Sequence, residues 1–356
     1  SYLIRILFFT IDYSILDHDV FSIFLLGLNI IDWLAFIISI FLQMYFFSIG
    51  INYNKRLINI SAITVYVGMI FFLFVVLLND VRSTSQAFID IINFKNFFIS
   101  DNIIPLITVA GTIFAYFSII IVSFGDFSRY VKDTKELKNG NLSLILNLII
   151  FSLFSVFIVV GSDVFLNQQF EDINRIFTNP TDIIGKFDNL KITTIVLLFI
   201  IIASASTNLV ANFIPSQYSL INFAPENLSL KKASYIITFL GFLVGILWPT
   251  ILSQIGVLSF IDTFSSFFGP IFGVMAVNYF IINKSNLEIK GIHNIDNKSP
   301  YYFSGGWHIK AIYSLFIGFI FSSSTIWNLN LMFLQSYAWI IGAIMSSLTF
   351  YLLANK

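Results

Sequence analysis

Residues 203–215 read Ala-Ser-Ala-Ser-Thr-Asn-Leu-Val-Ala-Asn-Phe-Ile-Pro. They close an apolar run over 192–214. That run is long enough to cross a bilayer core of about 30 Å, which takes roughly 20 apolar residues. Polar side chains at such depth are tolerated only where protein or a cavity surrounds them. At 3.6 residues per turn, Ser204, Asn208 and Asn212 share one stripe. Ala203 and Thr207 share the next, with Ser206 beside it. Hydroxyl and carbonyl oxygens without a carboxylate suit a weakly held monovalent cation. Two amides one turn apart suit a planar ligand with alternating donors and acceptors, because each amide offers both. Small polar residues also let helices pack closely. Two Asn and a Ser-Thr pair within seven residues favour a site.

Eight more runs of membrane length flank this one, near 27–49, 58–78, 105–124, 142–165, 233–253, 257–283, 309–329 and 332–353. Residues 1–13 read as the tail of an earlier span. The whole chain agrees: of 356 residues, 57% are hydrophobic and 11% charged, with 43 Phe and a mean hydropathy of +0.88. A soluble domain carries about 25% charged residues, so a soluble enzyme, a disordered chain and a fibrous one are excluded. An all-α polytopic membrane protein remains, taken as one transmembrane domain over 1–356. Lys and Arg number 19, as do Asp and Glu, so no net field favours nucleic acid. No Cys is present, which removes disulfides, thiolate zinc sites and cysteine nucleophiles. Three histidines, His18, His293 and His308, argue against a histidine-rich metal centre, and no cofactor is expected. The chain opens on Ser1 without a charged leader, which reads as a cut inside a longer protein. The wealth of Ile, Asn, Phe and Lys fits an AT-rich genome, and a bacterial source is expected.

The loops alternate in charge. One side holds twelve basic residues: Lys55, Arg56, Arg129, Lys132, Lys135, Lys138, Lys231, Lys232, Lys284, Lys290, Lys298 and Lys356. The other holds five, Arg82, Lys95, Arg175, Lys186 and Lys191, diluted by acids such as Asp80, Asp90 and Glu171. Cytoplasmic loops carry the excess of Lys and Arg. The Lys-rich side and the C-terminus are therefore expected in the cytoplasm, with the chain in the inner membrane. Arg5 and Lys310 fall outside this count.

Other polar positions interrupt the spans. Gly111, Thr112 and Ser118 weaken the third, as expected of a discontinuous helix whose broken ends present dipoles. That span closes on Gly125-Asp126-Phe127-Ser128-Arg129-Tyr130, where Gly125 is the expected break and Asp126 and Arg129 are spaced to pair at an interface. The seventh span carries Asp262 and then Gly269-Pro270, a predicted kink. An acid inside a span is a functional candidate, although Asp262 and Asp32 both lie near span ends where water reaches.

These residues resemble a known family. The segment from Gly125 to Tyr130 is similar to the signature closing the sixth helix of the nucleobase–cation symporter-1 family, which includes hydantoin, allantoin, cytosine and uracil permeases. Thr207-Asn208-Leu-Val-Ala-Asn212, with Pro225 downstream, resembles its eighth helix. Gly269-Pro270-Ile-Phe-Gly273-Val-Met275 and Asn278-Tyr279 resemble its tenth, with Asn278 where the family usually has Asp. Tyr302 and Gly305-Gly306-Trp307 match the entry to its eleventh. The resemblance implies a leucine-transporter-like fold of two inverted five-helix repeats plus two helices. It makes the nine spans helices four to twelve and 1–13 the end of helix three, so most of the first three helices is absent. It further implies that Ala203, Ser206 and Thr207 bind a coupling cation and that Asn212 binds substrate, to which the shared stripe adds Asn208 as a second amide. Phe117 stands where many members place a stacking Trp, and Phe260 and Ile261 at the extracellular gate.

The resulting expectation is a monomeric secondary transporter, coupling Na⁺ or H⁺ entry to uptake of a nucleobase-like or hydantoin-like heterocycle by alternating access. The Ser206-Thr207 pair leans towards Na⁺. Transport of another small solute, an amino acid or a vitamin, is the alternative on the same fold. An intramembrane enzyme would need an acid–base or metal motif, and a channel would need filter segments or pore-lining rings. Neither pattern is present in the sequence.

Overall fold

The structure is a computed structural model and describes residues 23–49, 51–79, 81–92, 99–169, 179–186, 189–252, 257–292 and 298–354, with Ile4 and Gln254 as single positions. Apart from Ile4, the tail read at 1–13 lies outside the described residues, as do His18 and His293 and the loop cations Arg5, Lys95, Arg175 and Lys356. The helices are α1 (Ile30–Ser48), α2 (Ile51–Asn79), α3 (Val81–Ile92), α4 (Ser100–Val122), α5 (Phe124–Ser128), α6 (Thr134–Gln169), α7 (Pro180–Ile184) and α8 (Leu190–Thr207). They continue as α9 (Ile214–Phe223), α10 (Leu230–Leu247), α11 (Val257–Ala276), α12 (Ile289–Ile292), α13 (Ile309–Trp327) and α14 (Ala338–Ala354). Three π-helical turns interpose at Asn208–Phe213, Trp248–Leu252 and Val277–Ile282, and a 3₁₀ segment covers Leu329–Tyr337.

Among the described residues, nine helical stretches are long and apolar enough to cross a membrane, close to where the hydropathy placed them. One large difference is α6, which starts at Thr134 rather than near 142. The cause is a polar cap. Asp133 Oδ1 accepts the Glu136 amide at 2.8 Å, and Glu136 returns a bond to the Lys132 amide at 3.3 Å. Helix therefore begins two turns before the apolar run. At α1 the same logic explains Asp32: Asn29 Oδ1 accepts the Asp32 amide at 2.9 Å and Asp32 faces back to the Asn29 amide. Asp32 is a capping residue.

The chain divides into two compact units, Ser1–Phe94 with Asp126–Thr250, and Lys95–Gly125 with Ile251–Lys356. In the first, α2, α6, α7 and α8 close on Phe72, Val76, Ile158, Ile183, Ile184, Val196 and Leu197. A second cluster, Phe47 with Leu209 and Phe213, joins α1 to the π turn after α8. Leu146, Phe239 and many other large apolar side chains point outwards, the pattern of a surface facing lipid. With lipid outside, close packing and polar contacts hold such helices together, since apolar burial gains little.

The second unit shows this in its glycines. A Cβ on Gly111 would strike the Ser336 carbonyl, one on Gly269 the Trp339 carbonyl, and one on Gly273 the Ala343 carbonyl. The expected break in the third span is absent: α4 runs unbroken from Ser100 to Val122, past Pro105. Its hydroxyls bond to their own backbone, Thr112 to the Thr108 carbonyl at 3.1 Å and Ser118 to Ala115 at 2.6 Å. They thus leave the helix intact, and Gly111 serves packing. The chain leaves helix at Ser123, two residues before Gly125. Helix α11 likewise runs through Gly269-Pro270, and Ser346 Oγ donates to the Pro270 carbonyl at 3.0 Å.

The Gly305-Gly306 pair makes a turn that only glycine adopts readily. Both φ values are positive, +62° and +86°, and Ser304 and Trp307 exchange both backbone bonds at 3.1 Å. The turn delivers His308 to the start of α13, where its Nδ1 accepts the Ala311 amide at 3.2 Å. The imidazole lies between Phe303, 4.0 Å away by ring centroids, and Phe350 at 5.3 Å. Burial pushes its pKa below the ordinary 6.5, with Lys310 adding to the effect. Stability from the neutral ring is present above about 6.5 and lost as pH falls, because the unfolded chain then binds the extra proton. Protonation also removes the cap acceptor and sets a cation at a helix N-terminus. We expect acidification to cost about 0.5–2 kcal/mol here. Thermal melts at stepped pH should show His308→Asn, which still caps, losing that part of the acid sensitivity.

Candidate functional site

Helix α8 starts at a side-chain cap, Asn189 Oδ1 accepting the Ile192 amide at 3.2 Å. It keeps α geometry to Thr207 and then widens into the π turn Asn208–Phe213. Pro215, just beyond, cannot donate and crowds the preceding turn, and the wider turn accommodates it. Such turns recur at functional sites.

Around the bulge the hydroxyls and amides fall into two pairs. Ser206 is buried, and its Oγ donates to the Ala203 carbonyl at 3.0 Å. These two neutral oxygens are close enough to touch one ion, and rotating the hydroxyl hydrogen away frees lone pairs on both. Their chemistry fits a monovalent cation. Thr207 follows with its side chain exposed. One turn on, Asn212 Nδ2 donates to Asn208 Oδ1 at 2.8 Å. That bond leaves Asn212 Oδ1 as an acceptor and Asn208 Nδ2 as a donor. Ser216 Oγ holds the Asn212 carbonyl at 2.6 Å.

Asn208 lines a cavity of about 370 Å³ between α1 and α8, with Ser39, Gln43 and Ser204. Gln43 is a site residue that sequence reasoning missed. Its Nε2 donates to the Ala205 carbonyl at 3.3 Å, at the last turn before the bulge, while its Oε1 is buried without a hydrogen-bond partner among the described residues. An amide deep in the apolar run 27–49, well away from the capping Asn29, was the signal that could have found it.

The residues expected to stack on substrate and to gate its entry lie in the second unit. Phe117, on α4, stands edge-on to Tyr116 at 5.2 Å. Phe260, on α11, packs against Phe264 at 4.8 Å, and the side chain of Ile261 lies outside the described residues. At the end of the α4–α5 region, Arg129 pairs with Asp126 at 2.9 Å, as its spacing predicts. Its guanidinium also sits 4.1 Å above the Tyr218 ring, a cation–π contact. The Tyr130 and Tyr218 hydroxyls share a hydrogen bond. Burial, then that bond, pushes the Tyr130 phenol well above its ordinary range, so it stays protonated. This cluster closes one side of a cavity of about 200 Å³ that Leu209, Gln217 and Lys231 also line.

A many-span helical protein with paired amides and hydroxyls at a widened helix has the make-up of a solute permease. The chain belongs to the family described as permease for cytosine/purines, uracil, thiamine, allantoin, whose profile matches residues 18–346. Among curated relatives it is 26% identical to the allantoin permease of Bacillus subtilis (strain 168), over 66% of this chain and 46% of that one. It is 23% identical to a putative allantoin permease of Escherichia coli (strain K12), over 70% and 50%. To a purine-uracil permease of Arabidopsis thaliana it is 24% identical, over 58% and 33%. The chain spans half or less of the length of these relatives. No solved structure matches it. The family and these relatives are permeases, not enzymes.

Proposed function

We propose that the complete gene product is a secondary active transporter that couples inward cation flow to uptake of a nucleobase-like or hydantoin-like heterocycle. The observation carrying this reading is the Asn208–Asn212 amide pair, bonded at 2.8 Å on a π turn that follows Ala203 and Ser206 directly. A ring with adjacent C=O and N–H groups pairs with one free donor and one free acceptor. Family membership and the relatives' names, allantoin and purine-uracil permeases, point to the same ligand chemistry. Phe117 would stack on the ring, and Phe260 and Ile261 would gate its entry. The fold would be the inverted repeat of the leucine-transporter type, acting as a monomer. The positive-inside pattern supports a bacterial inner-membrane protein with its C-terminus in the cytoplasm.

Sodium is the coupling ion we favour. Thr207→Ala removes one hydroxyl ligand, which costs on the order of 1.5–3 kcal/mol, about tenfold to a hundredfold in affinity. Uptake of labelled allantoin, hydantoin and uracil into vesicles, titrated with sodium, should show the half-maximal sodium concentration rising by that factor. Apparent substrate affinity at fixed sodium should fall with it by linkage. An unchanged sodium dependence would leave Thr207 a packing residue, and uptake that ignores every cation gradient would overturn the coupling.

A further inference from the structure

The second unit holds a buried acid that the proposed transport site does not use. Asp262, in the second turn of α11 and at the edge of a spanning stretch, is 6% exposed. The sequence left room for a hydrated position, and the structure removes it. Asp262 Oδ2 accepts from Gln335 Nε2 at 2.7 Å, so the donor facing the carboxylate is a neutral amide. Gln335 belongs to Leu329–Tyr337, nine residues of 3₁₀ helix. Such runs rarely exceed three or four residues and mark hinges or strain. Its neighbour Ser336 reaches Thr108 of α4, hydroxyl to hydroxyl, at 3.3 Å.

We propose that Asp262 is a proton-binding site, and that its occupancy decides how firmly Leu329–Tyr337 is tethered to α11. Without the proton, a buried carboxylate that meets no cation among the described residues is costly and draws strongly on its amide donor. On acidification a hydronium ion gives its proton to a carboxylate oxygen: its O–H bond breaks to leave neutral water, a carboxylic O–H bond forms, and the charge is discharged. The Gln335 contact then becomes an ordinary neutral hydrogen bond, and the 3₁₀ segment is held less tightly. On the elements packed against α11, the other ionisable residues are Asp101 and Tyr116 of α4, Tyr279 of the π turn Val277–Ile282, Lys310 and Tyr313 of α13 and Tyr351 of α14, with Tyr337 in the 3₁₀ segment itself. Lys310 lies in the first turn of α13, two turns before Gly318, which packs on Pro270.

Infrared difference spectra of the purified complete gene product, recorded across a pH titration, read this site without any transport. The C=O stretch of a protonated carboxylic acid should grow in on acidification and vanish in Asp262→Asn. Gln335→Leu removes the donor while keeping the acid, and should move the midpoint of the band by about one to two pH units. A band that neither replacement changes, or no such band in the wild-type protein, overturns the proposal. Because no heterocycle enters the measurement, a failure here is distinct from failure of the transport reading.

Discussion

Asn212→Ala should weaken heterocycle binding at least roughly tenfold in the complete gene product, with expression unchanged. The structure gives that expectation two parts. Losing Asn212 removes the free acceptor Oδ1, and it also releases Asn208 Oδ1 from the 2.8 Å bond that orients its amide. A buried ligand group left unpaired costs about 1–3 kcal/mol, and a swivelling Asn208 adds to the loss. Asn212→Asp should fail too for neutral substrates, since an ionised carboxylate cannot donate to Asn208 Oδ1. If the two amides only pack helices together, alanine is tolerated for binding and any loss appears as protein yield. Calorimetry on monodisperse protein separates these outcomes, and wild-type affinity in Asn212→Ala would sink the assignment.

Gly273→Leu should have the largest effect on stability. A Cβ there would meet Ser347 Oγ at 2.8 Å and lie closer still to the Ala343 carbonyl and Ser346 Oγ. A backbone carbonyl inside a helix cannot swing aside, so α11 and α14 must separate. Overpacking costs typically 1–3 kcal/mol and occasionally more, and a leucine at this seam belongs at or above the top of that range. The expected result is loss of the monodisperse peak in size-exclusion chromatography, or a clearly lower Tm in any protein recovered. Gly140→Ala on α6 is the control, because nothing among the described residues lies within 4 Å of the methyl that alanine would add. It should be neutral or stabilising by about 0.4–1 kcal/mol.

The spans and their alternating loop charges were legible in the sequence because lipid imposes length and polarity directly. The stripe of Ser204, Asn208 and Asn212 was legible for the same reason. What stayed hidden was pairing at a distance. Gln335 reaches Asp262 across 73 positions and Gln43 reaches Ala205 across 162, and no local pattern announces either. The π turn was hidden too, since an apolar run looks alike at four or five residues per bond, and Pro215 was its one local hint. Thr112 and Ser118 misled in the opposite sense. A hydroxyl in an apolar run looks like a weak point, yet each turns back onto a carbonyl of its own helix.

Helix α6 sets a further condition on where the chain can reside. Its 36 residues extend about 54 Å at 1.5 Å each, against a bilayer of about 40–45 Å with its headgroups. Polar collars close both ends, Thr134–Asn141 at one and Asn167-Gln168-Gln169 at the other. The helix must lean or stand proud of the surface, and each choice costs a fraction of a kcal/mol per ångström of mismatch. It acts as a gauge of bilayer thickness, making lipid chain length a determinant of how the first unit is oriented in its membrane.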